Sequence, residues 1–248
     1  MRFVHRFIVV SIFLSASLIP AHAALSPASI PPVFDELLKN QRLSNPAMVV
    51  IDGSTGQVIY EKNGFSQRKP ASVMKLLTSA AVIQNLELDA TFSTSIEINP
   101  ETKTVIIRGS FDPWISLDHK TARKMSRASL PYMGFETLKG VKAFNGGSLK
   151  NYKVIYSNLF SQDVSNLKSF WAKRGFKPTF RAVSDDEAFM AFGELIVSEN
   201  SPTVAALIDW ILLWSDNTIS ERLARLSAKA AGYPMSSKGV DMVFRDVL

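Results

Sequence analysis

Hydrophobic and polar positions divide the chain into stretches of clearly different character. After a proline-rich lead-in (Pro27, Pro31, Pro32), Val33, Phe34, Leu37 and Leu38 recur at helical spacing with charges between them, which predicts a short amphipathic helix. Ala47 to Ile51 and Gln57 to Glu61 read as two strands, and Asp52-Gly53-Ser54-Thr55-Gly56 between them supplies the glycines a tight hairpin turn needs. From Pro70 onward, Val73, Met74, Leu76, Leu77, Ala80, Ala81, Ile83 and Leu86 leave almost no polar face. That is the pattern of a helix buried in the core of a large domain.

The pattern changes from about residue 88 to 200. Phe92 to Ile98 and Val105 to Arg108 read as strands joined by Asn99-Pro100-Glu101, followed by a polar, glycine-containing middle. Further strands are predicted at Lys153 to Tyr156 and Thr179 to Val183, flanking a helix from Val164 to Ala172. Helical periodicity returns at Pro202 and runs through Val204, Leu207, Ile208 and Ile211 to Trp214. A second helix spans Thr218 to about Ala231 and stops at Gly232, and the last residues are again helix-like. This predicts one helix-and-sheet domain interrupted by an inserted module with its own small sheet. No internal repeat or low-complexity tract is visible.

The first residues read as an address and not as part of the fold. Arg2 and Arg6 give a basic start, Phe7 to Leu18 form an apolar run, and Ala21-His22-Ala23 offers a small-x-small cleavage site. The run of about a dozen residues falls short of the ~20 a bilayer span requires. The expectation is therefore a signal peptide over 1–23, a mature start at Ala24, and export to the periplasm or cell-wall space. Cleavage removes two arginines and no acid, so the formal charge of +6 falls to +4. That balance suits an anionic wall, yet the basic residues are scattered and no basic block carries interleaved aromatics, which argues against nucleic acid as a partner.

Composition narrows the chemistry further. With no cysteine the chain cannot be a disulfide scaffold, and at 46% hydrophobic it can build a buried core. His5 and His22 leave with the leader, so the mature protein has one histidine, His119, expected at the surface. A histidine-based hydrolase triad lacks an acid partner at recognisable spacing, and a zinc site of histidines or thiolates cannot be assembled. Neither a metal nor an organic cofactor is expected.

A Ser-x-x-Lys pair sets a hydroxyl and an amine one helical turn apart, where the amine can take the proton as the serine attacks a carbonyl. The spacing occurs three times: Ser66 to Lys69, Ser72 to Lys75 and Ser165 to Lys168. Lys69 precedes Pro70, which disfavours helix there, and Ser165 to Lys168 lies on the polar side of an amphipathic stretch. Ser72 stands at the start of the most apolar helix, whose N-terminus favours developing negative charge. Burial of Lys75 would favour the neutral amine a base requires. On this motif alone Ser72 could equally be a helix cap. Ser215-Asp216-Asn217, at the junction of two apolar helices, adds a hydroxyl and an amide able to complete a proton relay and hold a peptide. Ser198-Glu199-Asn200 has the same spacing but lies in a polar stretch.

Together, PASVMKLLTSAAVIQNL (70–86) and SDN (215–217) resemble the first two active-site motifs of penicillin-binding proteins and serine beta-lactamases. The hairpin MVVIDGSTGQVIYEKN, the segment FSTSIEI and SPTVAALIDWILLWSDNTISERL narrow the resemblance to the D-alanyl-D-alanine carboxypeptidase/endopeptidase family, which carries a large insertion between these motifs. It covers residues 33–98 and 200–245. It implies an α+β transpeptidase-like fold, a helical cluster on an antiparallel sheet, with 24–87 and 201–248 as its two parts and 88–200 as the β-rich inserted module. In that family Ser72 would be acylated, Lys75 would be its base, and Ser215 and Asn217 would assist proton transfer and hold the substrate; Asp216 occupies a variable position. Peptidoglycan stem peptides would be substrates and beta-lactams inhibitors; the oligomeric state is left open.

Two departures stand out. Gly109-Ser110-Phe111-Asp112-Pro113 matches the family's Gly-x-Gly-Asp-Pro-like stretch only partly, and Asp112 is expected to serve a turn. No Lys-Thr-Gly, Lys-Ser-Gly or His-Thr-Gly string follows Asn217, which implies a chain truncated before the third motif and its strands. The rival readings are a catalytically silent, wall-associated binding or scaffold protein and, less well matched to the long insertion, a beta-lactamase.

Overall fold

The computed structural model describes residues 27–248; the leader expected over 1–23 lies outside them. The chain divides into two compact units, one up to Lys69 and one from Pro70 to Leu248.

The first unit holds α1 (Ile30–Leu37), β1 (Met48–Ile51) and β2 (Val58–Lys62). Pro31 sits in the first turn of α1, where an N–H would have no helical partner. The two strands pair antiparallel, with Val50 opposite Tyr60. Asp52 shapes the turn by accepting the N–H groups of Ser54 and Thr55 at 2.8 and 2.9 Å, and Gly56 takes a φ of +71° that side chains avoid. A lone hairpin is marginal in water. Here Tyr60 packs on Phe34 with centroids 5.6 Å apart and donates its hydroxyl to Asp35 Oδ1 at 2.8 Å, tying the hairpin to α1.

The second unit opens with a 3-10 turn, Ala71–Val73, that leads into α2 (Met74–Asn85). Next come β3 (Ser93–Asn99), β4 (Thr104–Gly109), α3 (His119–Lys124), α4 (Leu130–Phe144), β5 (Lys153–Ser157), α5 (Ser161–Ala172), β6 (Thr179–Ala182), α6 (Asp185–Met190) and β7 (Glu194–Asn200). Three helices close the unit: α7 (Val204–Trp214), α8 (Asn217–Ala230) and α9 (Ser237–Val247).

The five strands between 93 and 200 form one mixed sheet in the order β6-β5-β4-β3-β7. β4, β5 and β6 run parallel, while β3 pairs antiparallel with β4 and β7. Parallel neighbours need crossovers, and the helices α4 and α5 lie in those connections. Ile96, Ile98, Val105 and Ile107 of the sheet join Met133, Leu138 and Val141 of α4 and Leu167 and Trp171 of α5 in the largest core cluster. A second cluster combines Val82 of α2, Trp114, Leu207 and Ile211 of α7, and Ile219 and Leu223 of α8. Ala81, Ala228 and Val243 join α2, α8 and α9 in a third.

Two expectations need correction. Helix α2 is not buried all round: Lys75, Thr78, Ala81 and Val82 are covered, but Leu76 and Ile83 are 62% and 55% exposed, because α7, α8 and α9 pack on one side of the helix. The polar middle of 88–200 is also more ordered than its composition suggests, for it holds the fifteen-residue helix α4, and β7 was not foreseen as a strand. Among the described residues no helix is long and apolar enough to cross a membrane.

Candidate active site

The 3-10 turn and the junction of α7 with α8 bring the two sequence motifs together. Val73 N–H closes the turn on Pro70 O at 3.1 Å, Ala71 takes a positive φ of 47°, and Ser72 is left exposed one turn ahead of Lys75. At the other motif Ser215 ends α7 in the left-handed conformation, φ 56° and ψ 36°. Asp216 then caps α8, its Oδ1 accepting Ile219 N–H at 3.0 Å, and Asn217 is the first residue of that helix.

The four side chains form a single hydrogen-bonded group. Ser72 Oγ and Ser215 Oγ are 2.9 Å apart. Lys75 Nζ donates to Asn217 Oδ1 at 2.6 Å and to Ser72 Oγ at 3.5 Å. Lys75 is 6% exposed, whereas both serines face solvent. The backbone of Lys75 is pinned in turn, its carbonyl accepting the Ser79 hydroxyl at 2.8 Å. A cleft of about 270 Å³ opens beside this group, with Ala71, Met74, Lys75, Asn217 and Ser220 among its walls. An exposed hydroxyl bonded both to an amine and to a second hydroxyl can lose its proton as it attacks, and the second hydroxyl can pass a proton on to a leaving group.

The rival pairs are not so arranged. Ser66 and Lys69 lie on exposed, non-helical chain. Ser165 and Lys168 are exposed on α5, with Lys168 Nζ over the Phe180 ring at 4.8 Å. Ser198-Glu199-Asn200 belongs to β7, where Glu199 pairs with Arg123. Asp112 makes a turn, its Oδ1 accepting Trp114 N–H at 2.7 Å, and its burial pushes the carboxyl up to about 7 against that hydrogen bond and the charges of Arg127 and Arg222. His119 is exposed, with Nδ1 3.1 Å from Ser129 Oγ.

Sequence reasoning missed Trp210, whose indole N–H donates to Asp216 Oδ2 at 3.4 Å. The available signal was its place on α7, six residues ahead of that aspartate and four ahead of Trp214.

Residues 33–146 match the model of the D-Ala-D-Ala carboxypeptidase 3 (S13) family, past residue 98 and into the segment where the sequence resemblance is poor. A D-alanyl-D-alanine carboxypeptidase of Actinomadura sp. (strain R39) is 32% identical over 114 residues, which is 43% of this chain and 21% of that relative, so the chain spans about a fifth of its length. Penicillin binding protein 4 (dacB) of Haemophilus influenzae, solved with a novel beta-lactam, superposes with a TM-score of 0.55 at 13% identity over 86% of this chain and 68% of that one. A second structure of the same protein gives a TM-score of 0.54 at 12% identity, covering 86% and 69%. At such identities the solved structures speak to fold alone, that of a mixed α/β penicillin-binding protein. The family match and the curated relative add that residues 33–146 are similar to the S13 family of D-Ala-D-Ala carboxypeptidases.

Proposed function

We propose that this protein is a serine-type D-Ala-D-Ala carboxypeptidase of peptidoglycan stem peptides, acting through an acyl-enzyme on Ser72 and acylated there by beta-lactams. The observation that carries the reading is the Ser72, Lys75, Ser215 and Asn217 group, held within 2.6 to 3.5 Å by residues 142 or more positions apart in sequence except for the Ser72–Lys75 pair. Lys75 is the base that receives the Ser72 proton as Oγ attacks the carbonyl of the penultimate D-alanine. Ser215 relays a proton toward the departing terminal D-alanine, and the Asn217 amide orients Lys75 and holds the substrate backbone. Water then hydrolyses the ester. The leader-like first 23 residues fit delivery to the wall space where such peptides lie.

Incubating the leader-free protein with a fluorescent penicillin and locating the adduct by mass spectrometry tests this. Label on Ser72, lost in Ser72→Ala, is the expected result. An adduct on Ser66 or Ser165 would overturn the choice of nucleophile. Absence of label together with retention on isolated peptidoglycan would replace the reading with that of a catalytically silent wall-binding protein.

A further inference from the structure

Ser215 adopts a conformation that a residue with a Cβ occupies only at a cost, of order 1 kcal/mol or more, unless its surroundings hold it there. Its hydroxyl nevertheless meets Ser72 Oγ at 2.9 Å, so the loop is fixed in the arrangement the site uses. The residues that hold it lie outside both motifs. Asp216 is gripped on both carboxylate oxygens: Oδ1 accepts Ile219 N–H at 3.0 Å, and Oδ2 accepts the Trp210 indole N–H at 3.4 Å.

Trp210 is itself confined. Its ring lies 4.5 Å from that of Trp114 and 5.4 Å from that of Trp214. Trp114 belongs to the segment that follows β4, so it comes from the 88–200 stretch and not from the helices around the motifs. It is 9% exposed, its carbonyl accepts Arg127 Nε–H at 2.9 Å, and the Arg127 guanidinium lies over its ring at 4.0 Å. A continuous stack thus runs from Arg127 through Trp114 and Trp210 to the carboxylate between Ser215 and Asn217. Each member is held by the one before it, and aromatic stacking and cation–π contact both resist sliding in a covered site.

We propose that Trp210 is a positioning residue for Ser215 and Asn217, and that Trp114 and Arg127 of the 88–200 segment brace it, so that this segment sets the geometry of the second motif. The inference rests on the acyl-Ser72 reading and adds to it a role for a segment that contributes none of the four site residues. The indole N–H touches no reacting atom. It keeps Asp216 from swinging, which keeps the Ser215 hydroxyl on Ser72 and the Asn217 amide on Lys75.

Two conservative variants remove the contact from opposite ends. Trp210→Phe keeps a ring in the stack and loses the donor. Asp216→Asn keeps an oxygen for the Ile219 cap but turns an amide N–H₂ toward the indole. Each should slow penicillin acylation by ~10-fold through the acylation rate constant, with the dissociation constant of the preceding complex unchanged, because misplacement of reacting groups costs rate more than binding. The double variant should be no slower than either single one. Hydrogen exchange should rise across 215–220 in both singles and stay as in wild type across 221–230. Wild-type rates and exchange in Trp210→Phe, or effects that multiply in the double variant, would overturn the inference. Should the wild-type protein take no label, the acyl-serine reading fails instead, and the exchange pattern decides the positioning role alone: raised exchange across 215–220 upholds it, and unchanged exchange overturns it.

Discussion

Lys75 Nζ lies 2.6 Å from Asn217 Oδ1 and 3.5 Å from Ser72 Oγ, so the proposed base is held more tightly by the amide of the second motif than by the hydroxyl it would serve. The short contact fixes where the amine sits, and the long one leaves it room to close on the serine once substrate is bound. Catalytic hydrogen bonds of this kind are often loose in a ligand-free protein and tighten in the reacting complex.

Replacing this amine should therefore remove general-base help without emptying the site. Lys75→Ala is expected to slow acylation by fluorescent penicillin by ~10²–10⁴-fold. Lys75→Arg should be similarly slow, because a guanidinium does not release its proton to act as a base. Time courses of labelling at several penicillin concentrations measure both. Unchanged acylation in Lys75→Ala would mean that another group takes the serine proton.

Much of this arrangement could be read from the sequence wherever periodicity and local caps agree. Met74–Asn85, Val204–Trp214 and Asn217–Ala230 carry apolar positions at helical spacing, and Asp216 and Thr203 provide side-chain caps just ahead of the last two. Helix α4 was hidden because two of its positions are glycines. A Cβ on Gly134 would fall 2.6 Å from the Phe170 ring, and one on Gly140 would fall 2.8 Å from Ile98 Cδ1, so close packing demands residues that look like loop in a sequence. Strand β7 was hidden because its exposed Leu195 breaks the alternation, and a shift in register with β3 falls between Ile96 and Glu97 opposite it. The Trp210 to Asp216 contact depends on the angle at which α7 meets α8, which no local pattern encodes.

Buried carboxyls give the protein a pH dependence of definite sign. Asp112 is 1% exposed and its Oδ2 has no hydrogen-bond partner, and burial raises the carboxyl from 3.8 to about 7. Asp163 adds to this upward push by its own charge. The folded state then binds a proton that the unfolded chain has released. The resulting stability is complete below pH ~4 and is lost as pH rises toward 7, with a total of ~4 kcal/mol. Urea unfolding of the wild type and of Asp112→Asn at pH 5 and pH 8 should show a steeper fall in the wild type. Parallel curves would mean that Asp112 is ionised throughout this range.

The ion pair of Asp163 on α5 and Arg222 on α8 should act as a single unit. Arg222 Nη1 is 2.9 Å from Asp163 Oδ2 without hydrogen-bond alignment, Nη2 donates to Oδ1 at 3.2 Å, and the two side chains are 12% and 6% exposed. Burial moves the Asp163 carboxyl upward even against the Arg222 charge, a sign of how much desolvation the pair bears. Asp163→Ala leaves a buried guanidinium with the Pro113 carbonyl and the Phe160 ring as its remaining contacts, and should cost ~3–5 kcal/mol. The double replacement Asp163→Leu with Arg222→Met should recover most of that loss in urea unfolding. A double variant as unstable as Asp163→Ala would show that the pair contributes specific stability beyond its mutual neutralisation.

Ser215 carries two properties that substitution can separate. Its φ of 56° suits glycine at the end of a helix, whereas its hydroxyl, 2.9 Å from Ser72 Oγ, is the group the chemistry would use. Ser215→Ala removes the hydroxyl and keeps the backbone cost, while Ser215→Gly removes both. Glycine gains freedom in the unfolded chain, which offsets part of the relief, so Ser215→Gly should exceed Ser215→Ala in unfolding free energy by about 0.5–1 kcal/mol. Penicillin acylation should be slowed alike in the two, because neither can relay a proton. Labelling of Ser215→Gly at the wild-type rate would remove Ser215 from the proposed mechanism. A more stable Ser215→Ala would mean that the surrounding contacts, the Asp216 grip among them, already hold the loop in place without strain that glycine could relieve.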